Sequence, residues 1–479
     1  MAKTRFQGAA DIEDEDFRRA FVEDALVIDC HEIRLVQKRL DSPITYVGPG
    51  SIEVGARKGV VVRMVCPRSE TDPYEPLSFL TSLNGPQAGV ILADEHYYRL
   101  EARDVAGDTW LCESGSLERS DRESTVVLSF TSSRITCATQ APASKDYAFL
   151  VFLDELGFPR NTVRTTTVEK GGAPWGTQSK WDLSEGVVAG LNISYEGINV
   201  VPDRKYSLFV AVAGSEMETP AGFEDRLLEA IRFCTATIAT PVMTQVGKDG
   251  KRTIELSRAR DLNKGLVEPP VPHQNHGSDF FRLFDCYYAY ACANAAGKDY
   301  SPLSAKVGGL FSLKGVWVET VVLLLSVAVE KMLNEKEFKR LGKSAAEVKG
   351  EVDKVLAAVR ELELSESMAK RVGGALNGFK SNSPSDRLHA LIEAGVLVED
   401  DRTSWKASRN AAAHGSFEIE PEEFQQAIDA AFRLMTMIYK MAFLCIGYSG
   451  SYTNFAVRGW PVHQFDLARY QAALAKPAS

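Results

Sequence analysis

The spacing of apolar residues changes once along this chain, and that change limits the folds open to it more than any motif does. Up to about residue 260 the apolar side chains fall in short β-branched and aromatic runs: "KGVVVRMVCP", "STVVLSFTSS", "KDYAFLVFLDE", "GLNISYEGINVV" and "KYSLFVAVAG". Gly, Pro, Asn and Asp separate these runs, so each predicts a strand. In "TQVGKDGKRTIEL" the pair Asp249-Gly250 stands between two strand-like arms and predicts a hairpin. One helix is expected to interrupt, at "GFEDRLLEAIRFCTA", where Leu227, Leu228, Ile231 and Phe233 recur at near-helical spacing.

Past residue 280 the period becomes helical. "FFRLFDCYYAYACANAA", "VWVETVVLLLSVAVEKML", "SAAEVKGEVDKVLAAVREL", "SPSDRLHALIEAG" and "PEEFQQAIDAAFRLMTMIYKMAFLCIG" are each long enough for two or more turns. Ser383-Pro384 heads one of them and Gly395 follows it, while Pro421 heads the last. Between the two regimes lies "NKGLVEPPVPHQNHGSD", residues 263–279, whose prolines and glycines predict an exposed connection. The expected architecture is multidomain α+β: a β-rich N-terminal region over 1–265, in one or two subdomains, then a linker over 266–278. An all-α bundle over 279–450 and a C-terminal extension over 451–479 complete it. A chain of 479 residues has room for two or three such cores.

Charge and cysteine usage narrow the functional classes. A net charge of −9 disfavours a protein coated in basic surface, though not a local basic cleft. The eight cysteines (Cys30, Cys66, Cys112, Cys137, Cys234, Cys286, Cys292 and Cys445) form no CxxC pair, and several sit in apolar runs such as "RFCTATIATPV". They are expected to be buried free thiols. The acidic start "MAKTRFQGAADIEDEDFRRAF" is unlike a signal peptide. The apolar run from Val316 carries Glu319 early and closes on Glu330 and Lys331, so it is expected to be a helix in the middle of a bundle, not a membrane span. The expected location is the cytoplasm. GxxxxGK[ST], GxGxxG, GxSxG and HExxH are all missing, which argues against several common enzyme classes.

One short segment carries chemistry: "ASRNAAAHGSFEIEPEEF", residues 407–424. "DDRTSWKASRNAAAH" predicts a short helix, with Thr403 or Ser404 as its cap and Gly415 as its stop, so that His414 sits in the last turn. There the helix dipole favours an imidazolium, which suits a proton donor. Arg409 and His414 are five residues apart and so about 140° apart around the axis. They flank a face whose middle is Ala411, Ala412 and Ala413, small enough for a second helix to approach. Asn410, four residues before His414, lies on the histidine's side. An arginine for phosphate, a histidine for the proton and an amide to orient them suffice for a phosphodiester-cleaving site, provided the substrate supplies its own nucleophile, as RNA does. The same spacing recurs in "RGWPVH" at Arg458 and His463, but Gly459 and Pro461 forbid a regular helix there.

"RNAAAHG" near the end of a helical bundle resembles the motif of the HEPN family: Arg, a polar residue, three or more others, then His. "VVLLLSVAVEKML" resembles the long buried helix that precedes it in that family. The resemblance spans residues 280–447. It implies a homodimer or higher oligomer that places two motifs across one interface to form a single ribonuclease site, with no metal and no cofactor. On that basis Arg409, Asn410 and His414 are the expected catalytic residues. The order of a β-rich region and then this bundle is similar to ApeA-type bacterial anti-phage defence proteins. That implies a toxin of abortive infection acting on RNA, with tRNA one candidate, and released by a trigger, such as a phage component, at the N-terminal region. The alternative is a non-catalytic HEPN-like module for dimerisation or nucleotide binding.

Other constellations read as structural. Cys30, His31 and Glu32 in "DCHEIR", and His273 and His276 in "PHQNHG", lack further ligands at metal-binding spacing and are expected in surface loops. Glu351 and Asp353 read as a solvated helix face. Lys248, Lys251, Arg252, Arg258 and Arg260 read as an exposed basic hairpin. Glu319 and Glu330, on an apolar helix, need partners. Arg409 or a neighbouring backbone group is expected to supply one, as a structural ion pair.

Overall fold

A computed structural model of the chain describes residues 3–6, 10–38, 43–67, 93–121, 125–140, 145–170, 173–201, 204–214, 217–260, 267–272, 276–295, 297–313, 316–339, 341, 345–362, 364–378, 383–414 and 423–475. They divide into two compact units, Met1–Glu224 with Ala239–Leu262, and Asp225–Ile238 with Asn263–Ser479.

The first unit is built from strands β1 (Thr4–Phe6), β2 (Leu26–Gln37), β3 (Thr45–Gly55), β4 (Gly59–Pro67), β5 (Tyr98–Asp104), β6 (Thr109–Asp121), β7 (Thr125–Ser132) and β8 (Arg134–Gln140). It continues with β9 (Tyr147–Phe152), β10 (Thr162–Lys170), β11 (Ala173–Val188), β12 (Leu191–Val201), β13 (Arg204–Ala213), β14 (Met243–Lys248) and β15 (Lys251–Ser257). Strands β2, β3, β4, β7, β6 and β5 pair antiparallel in that order, and β5 pairs back onto β2, closing a six-stranded barrel. Alternation fills it: β5 reads buried at every second residue, Tyr98, Leu100, Ala102 and Asp104. Ile33, Ile52, Val62, Leu100, Trp110, Leu128 and Phe130 are all fully buried in one cluster with Phe17 and Phe21 of helix α1 (Glu15–Val22).

Strand β6 changes partners along its length. Its start pairs with β8 and its end with β7. Between them stands Gly115, where a Cβ would lie 2.2 Å from the Phe130 ring, so only glycine fits the crossing. From β8 the sheet runs on through β15, β14, β9, β13, β12, β11 and β10. The Asp249-Gly250 hairpin joins β14 to β15 with φ of 53° and 72°, the positive values a two-residue turn requires. Its strands are not sheet edges, because β14 pairs β9 and β15 pairs β8 on the outer sides, while Lys251, Arg258 and Arg260 are exposed as expected and Lys248 and Arg252 are half-buried. "DCHEIR" likewise lies on β2 at an interruption of its pairing, not in a loop.

The second unit holds α2 (Phe223–Thr235) from Asp225 on, α3 (Gly277–Asn294), α4 (Pro302–Val307), α5 (Val318–Leu333), α6 (Lys336–Lys339) and α7 (Ala345–Arg360). After these come α8 (Glu366–Gly378), α9 (Pro384–Glu393), α10 (Glu399–His414), α11 (Phe424–Ile446), the hairpin β16 (Gly450–Thr453) with β17 (Val462–Phe465), and α12 (Leu467–Leu474). Helices α5 and α11 form the central pair, α10 packs on both, and α7 packs chiefly on α8. Leu434, Met437, Met441 and Phe443 of α11 are fully buried, each worth roughly 1.5–3 kcal/mol relative to exposure. Ser383 and Asp386 form a reciprocal cap on α9, behind Pro384. Residues 225–238, expected within the N-terminal region, are part of this unit: Phe233 stacks on Tyr287 at 4.4 Å and meets Tyr439 edge-on at 5.8 Å.

The segment expected as an exposed connection is packed where it is described. Val267, Pro270 and Val271 are buried. The Tyr439 hydroxyl donates to the Glu268 carbonyl at 2.6 Å, and the Thr453 amide to that of Pro270 at 2.9 Å. Among the cysteines, five are buried and Cys286, Cys292 and Cys445 are half-buried, all free thiols. Among the described residues, no helix is long and apolar enough to cross a membrane.

Candidate functional site

Helix α10 begins earlier than expected. It starts at Glu399, so Thr403 and Ser404 lie inside it and cap nothing. The start is made instead by an acidic first turn, Glu399, Asp400 and Asp401, which complements the positive end of the helix dipole. Asp401 also reaches back: its carboxylate accepts the Val398 amide at 3.0 Å and pairs with Arg433 of α11 at 3.1 Å. One carboxylate thus caps α10 and ties it to α11.

Two contacts hold α10 on α5. Trp405 is buried, and its indole N–H donates to the Ser326 carbonyl at 3.1 Å. One turn later Arg409 grips Glu330 with two hydrogen bonds, Nε to Oε2 at 2.6 Å and Nη2 to Oε1 at 3.1 Å. This is the partner expected for Glu330 from the sequence. Glu330 is not enclosed, however, and neither is its helix. Trp317, just before α5, is 79% exposed and Leu324 on it 38%, so the helix is not buried all round.

The Arg409 side chain keeps 44% of its surface exposed. The hydrogen bonds to Glu330, then its charge, push the guanidinium's pKa above its ordinary value. The two bonds use one edge of the guanidinium. Of its five N–H groups three remain, enough to meet a phosphate oxygen without breaking the pair. Asn410 is exposed and makes no side-chain hydrogen bond among the described residues. His414 is the last helical residue of α10, so the expected Arg-to-His rotation around the axis holds on the backbone. The side chains of Ala411, Ala412, Ala413 and His414, and residues 415–422 with Gly415 and Pro421, lie outside the described residues.

The remaining candidates are placed as follows. His31 Nδ1 lies 3.0 Å from the Asp104 carbonyl, beside a Cys30 thiol that burial, then Asp104 and Asp29, push up to about 12. His276 is half-buried before α3, 3.9 Å from the Asp279 carboxylate, and His273 lies outside the described residues. Arg252 pairs with Asp11 at 3.0 Å. Glu351 and Asp353 are exposed. Arg458 and His463 lie on the β16–β17 connection and on β17, not on a helix. Among the described residues no group of three metal-ligating side chains converges.

Sequence reasoning missed Trp405, Ser326 and the capping role of Asp401. The signal for Trp405 was present: a single aromatic residue in a polar helix, four positions before Arg409 and therefore above it on the same face. Scans against protein-family models, curated proteins and solved structures find no match to this chain.

Proposed function

We infer that the chain is a metal-independent endoribonuclease of HEPN type, working as a homodimer that assembles one site from two copies of the Arg409–Asn410–His414 motif. The observation that supports this reading is Arg409 itself: a half-exposed arginine, oriented by Glu330, on the helix whose last residue is His414. In the reaction the RNA 2′-hydroxyl attacks the adjacent phosphorus. His414 of one or both copies takes the 2′-hydroxyl proton and returns one to the departing 5′-oxygen, general acid–base work worth roughly a hundred- to ten-thousand-fold. Arg409 stabilises the charge that builds on the phosphoryl oxygens, and Asn410 orients the imidazole. The products carry a 2′,3′-cyclic phosphate and a 5′-hydroxyl. The β-rich unit restrains this activity until a trigger binds, in the setting of anti-phage abortive infection.

The same ion pair favours a second reading, since an arginine held on two points by a carboxylate is also what a purely structural arginine looks like. In that case the helices serve a non-catalytic dimer or nucleotide-binding scaffold. Incubating total cellular RNA with purified protein in EDTA, beside Arg409→Ala and His414→Ala, separates the two. Cleavage that persists in EDTA and disappears in both variants, with cyclic-phosphate ends, supports the enzyme. Cleavage unchanged in either variant overturns it.

A further inference from the structure

The turn between β16 and β17 presents an aromatic ring on strained backbone. Trp460 has a φ of 49°, a left-handed value that bulky side chains rarely adopt, and it precedes Pro461, which normally forces the preceding residue into extended backbone. Gly459 before it has a φ of 85°. The turn is held from several directions. The Trp460 amide donates to the Val457 carbonyl at 3.0 Å, the Asn454 amide to that of Pro461 at 2.9 Å, and the Ala456 amide to the Asn454 side chain at 3.2 Å. Strain of this kind persists only where the surroundings over-determine it, and it concentrates at places that bind or react.

What the strain achieves is a ring standing half out of the bundle. One side of Trp460 rests on Phe432 at 5.0 Å and Phe455 at 5.3 Å, yet 43% of the residue stays exposed. Arg458, two residues away, is exposed and makes no ion pair among the described residues, and His463 is exposed on β17. From Ser449 to Phe465 the chain has no Asp or Glu, although it carries 64 over its length. That stretch therefore offers Arg458 as its one full charge, with no acid of its own, on an acidic protein. A free aromatic ring next to an arginine suits a nucleobase on the ring and its phosphate on the guanidinium, the arrangement by which proteins hold single strands without reading sequence. Val457 and Val462, 44% and 43% exposed, flank the ring, so a protein contact is the competing occupant that the test must separate.

We propose that Trp460, with Arg458 and His463, is a stacking platform for single-stranded RNA. The proposal deepens the ribonuclease reading and rests on it for the substrate's being RNA.

The test is fluorescence anisotropy of fluorescein-labelled rA12, in EDTA, with the full chain carrying His414→Ala so that the probe stays intact. Added to that background, Trp460→Ala and Arg458→Glu are each expected to weaken binding by about five- to a hundred-fold, and Trp460→Phe to retain most of it. The rA12·rU12 duplex is expected to bind more weakly than the single strand. Circular dichroism confirms that each variant is folded, and Arg458→Glu, at an exposed side chain, carries the test if Trp460→Ala unfolds. Affinities within twofold of the parent, equal binding of the duplex, or no binding of rA12 by the parent overturn the platform. Loss of self-association in Trp460→Ala with unchanged RNA binding overturns it in favour of a protein contact. Failure of the ribonuclease reading registers separately, as RNA cleavage that His414→Ala does not remove.

Discussion

Trp405 and Ser326 stand in the same relation as the ion pair one turn below them. The indole of Trp405 donates to the Ser326 carbonyl, Arg409 grips Glu330, and both contacts join residues 79 apart in the chain. Advancing four residues on α10 while advancing four on α5 means that the two helices run in the same direction along this seam. The buried tryptophan sets the register, and the register then brings the arginine opposite its carboxylate.

The two parts of that seam should respond differently to substitution. Trp405→Ala removes a buried ring and is expected to cost about 3–5 kcal/mol, whereas Trp405→Phe, which keeps most of the packing and loses the N–H donor, should cost about 1–2 kcal/mol. Urea midpoints of the full chain measure both. Equal losses would mean that the hydrogen bond, not the ring, holds α10 on α5.

Glu330→Gln tests whether the ion pair orients Arg409 or merely decorates the surface. The pair is partly exposed, at 44% and 30%, so its loss should cost no more than about 1 kcal/mol. Cleavage should nevertheless fall by about tenfold or more, because an arginine without its carboxylate no longer waits in one place for the phosphate. Glu330→Asp should recover part of the rate. Unchanged cleavage in Glu330→Gln would leave the pair a structural one.

Much of this architecture could be read from residue patterns, and the failures share a cause. Runs such as "STVVLSFTSS" became strands, and the Asp249-Gly250 turn formed as expected, because local chemistry decides both. Closure of the barrel was not legible. It depends on β5 returning to β2, as in Leu35 opposite Leu100, a pairing between segments far apart in the chain. The proline-rich stretch was misjudged because composition reports turns, while the burial of Val267 and Val271 depends on what lies next to them. Glu330 was tractable for a physical reason: a carboxylate on an apolar helix needs a cation, and Arg409 stood on a helix expected beside it.

In the barrel, Glu53 offers a pH-dependent contribution that can be isolated. Burial alone would raise its pKa, but hydrogen bonds from Lys3 and Lys58, with the charges of Lys58 and Arg63, bring it down to about 2. A carboxylate depressed in the folded state adds stability at pH above its unfolded value, near 4.5, and that stability is lost as pH falls from there toward 2. Both lysines are partly exposed, so after screening the contribution is about 1–2 kcal/mol. Glu53→Gln should therefore be less stable than the parent at pH 7 in urea titrations, with the gap narrowing below pH 4.5. A gap that stays constant to pH 3 would show that packing around the side chain, not its charge, is being lost.

The thiols allow a sharper test of the two cores. Burial pushes Cys30 up to about 12, helped by Asp104 and Asp29. In Cys445, burial and then Glu337 do the same, and burial takes Cys137 higher still. Relative to an ordinary thiol near 9, a pKa of about 12 lowers the thiolate fraction at pH 8 by about a thousandfold, and the thiolate is the attacking species. Native protein treated with a disulfide reagent at pH 8 should leave these three positions unlabelled over minutes, while all eight cysteines label in urea. Peptide mapping distinguishes the sites. Because Cys30 and Cys137 lie in the first unit and Cys445 in the second, labelling through a urea gradient reports which unit opens first. Rapid labelling of Cys445 alone in native protein would mean that the C-terminal end of α11 opens without the bundle unfolding.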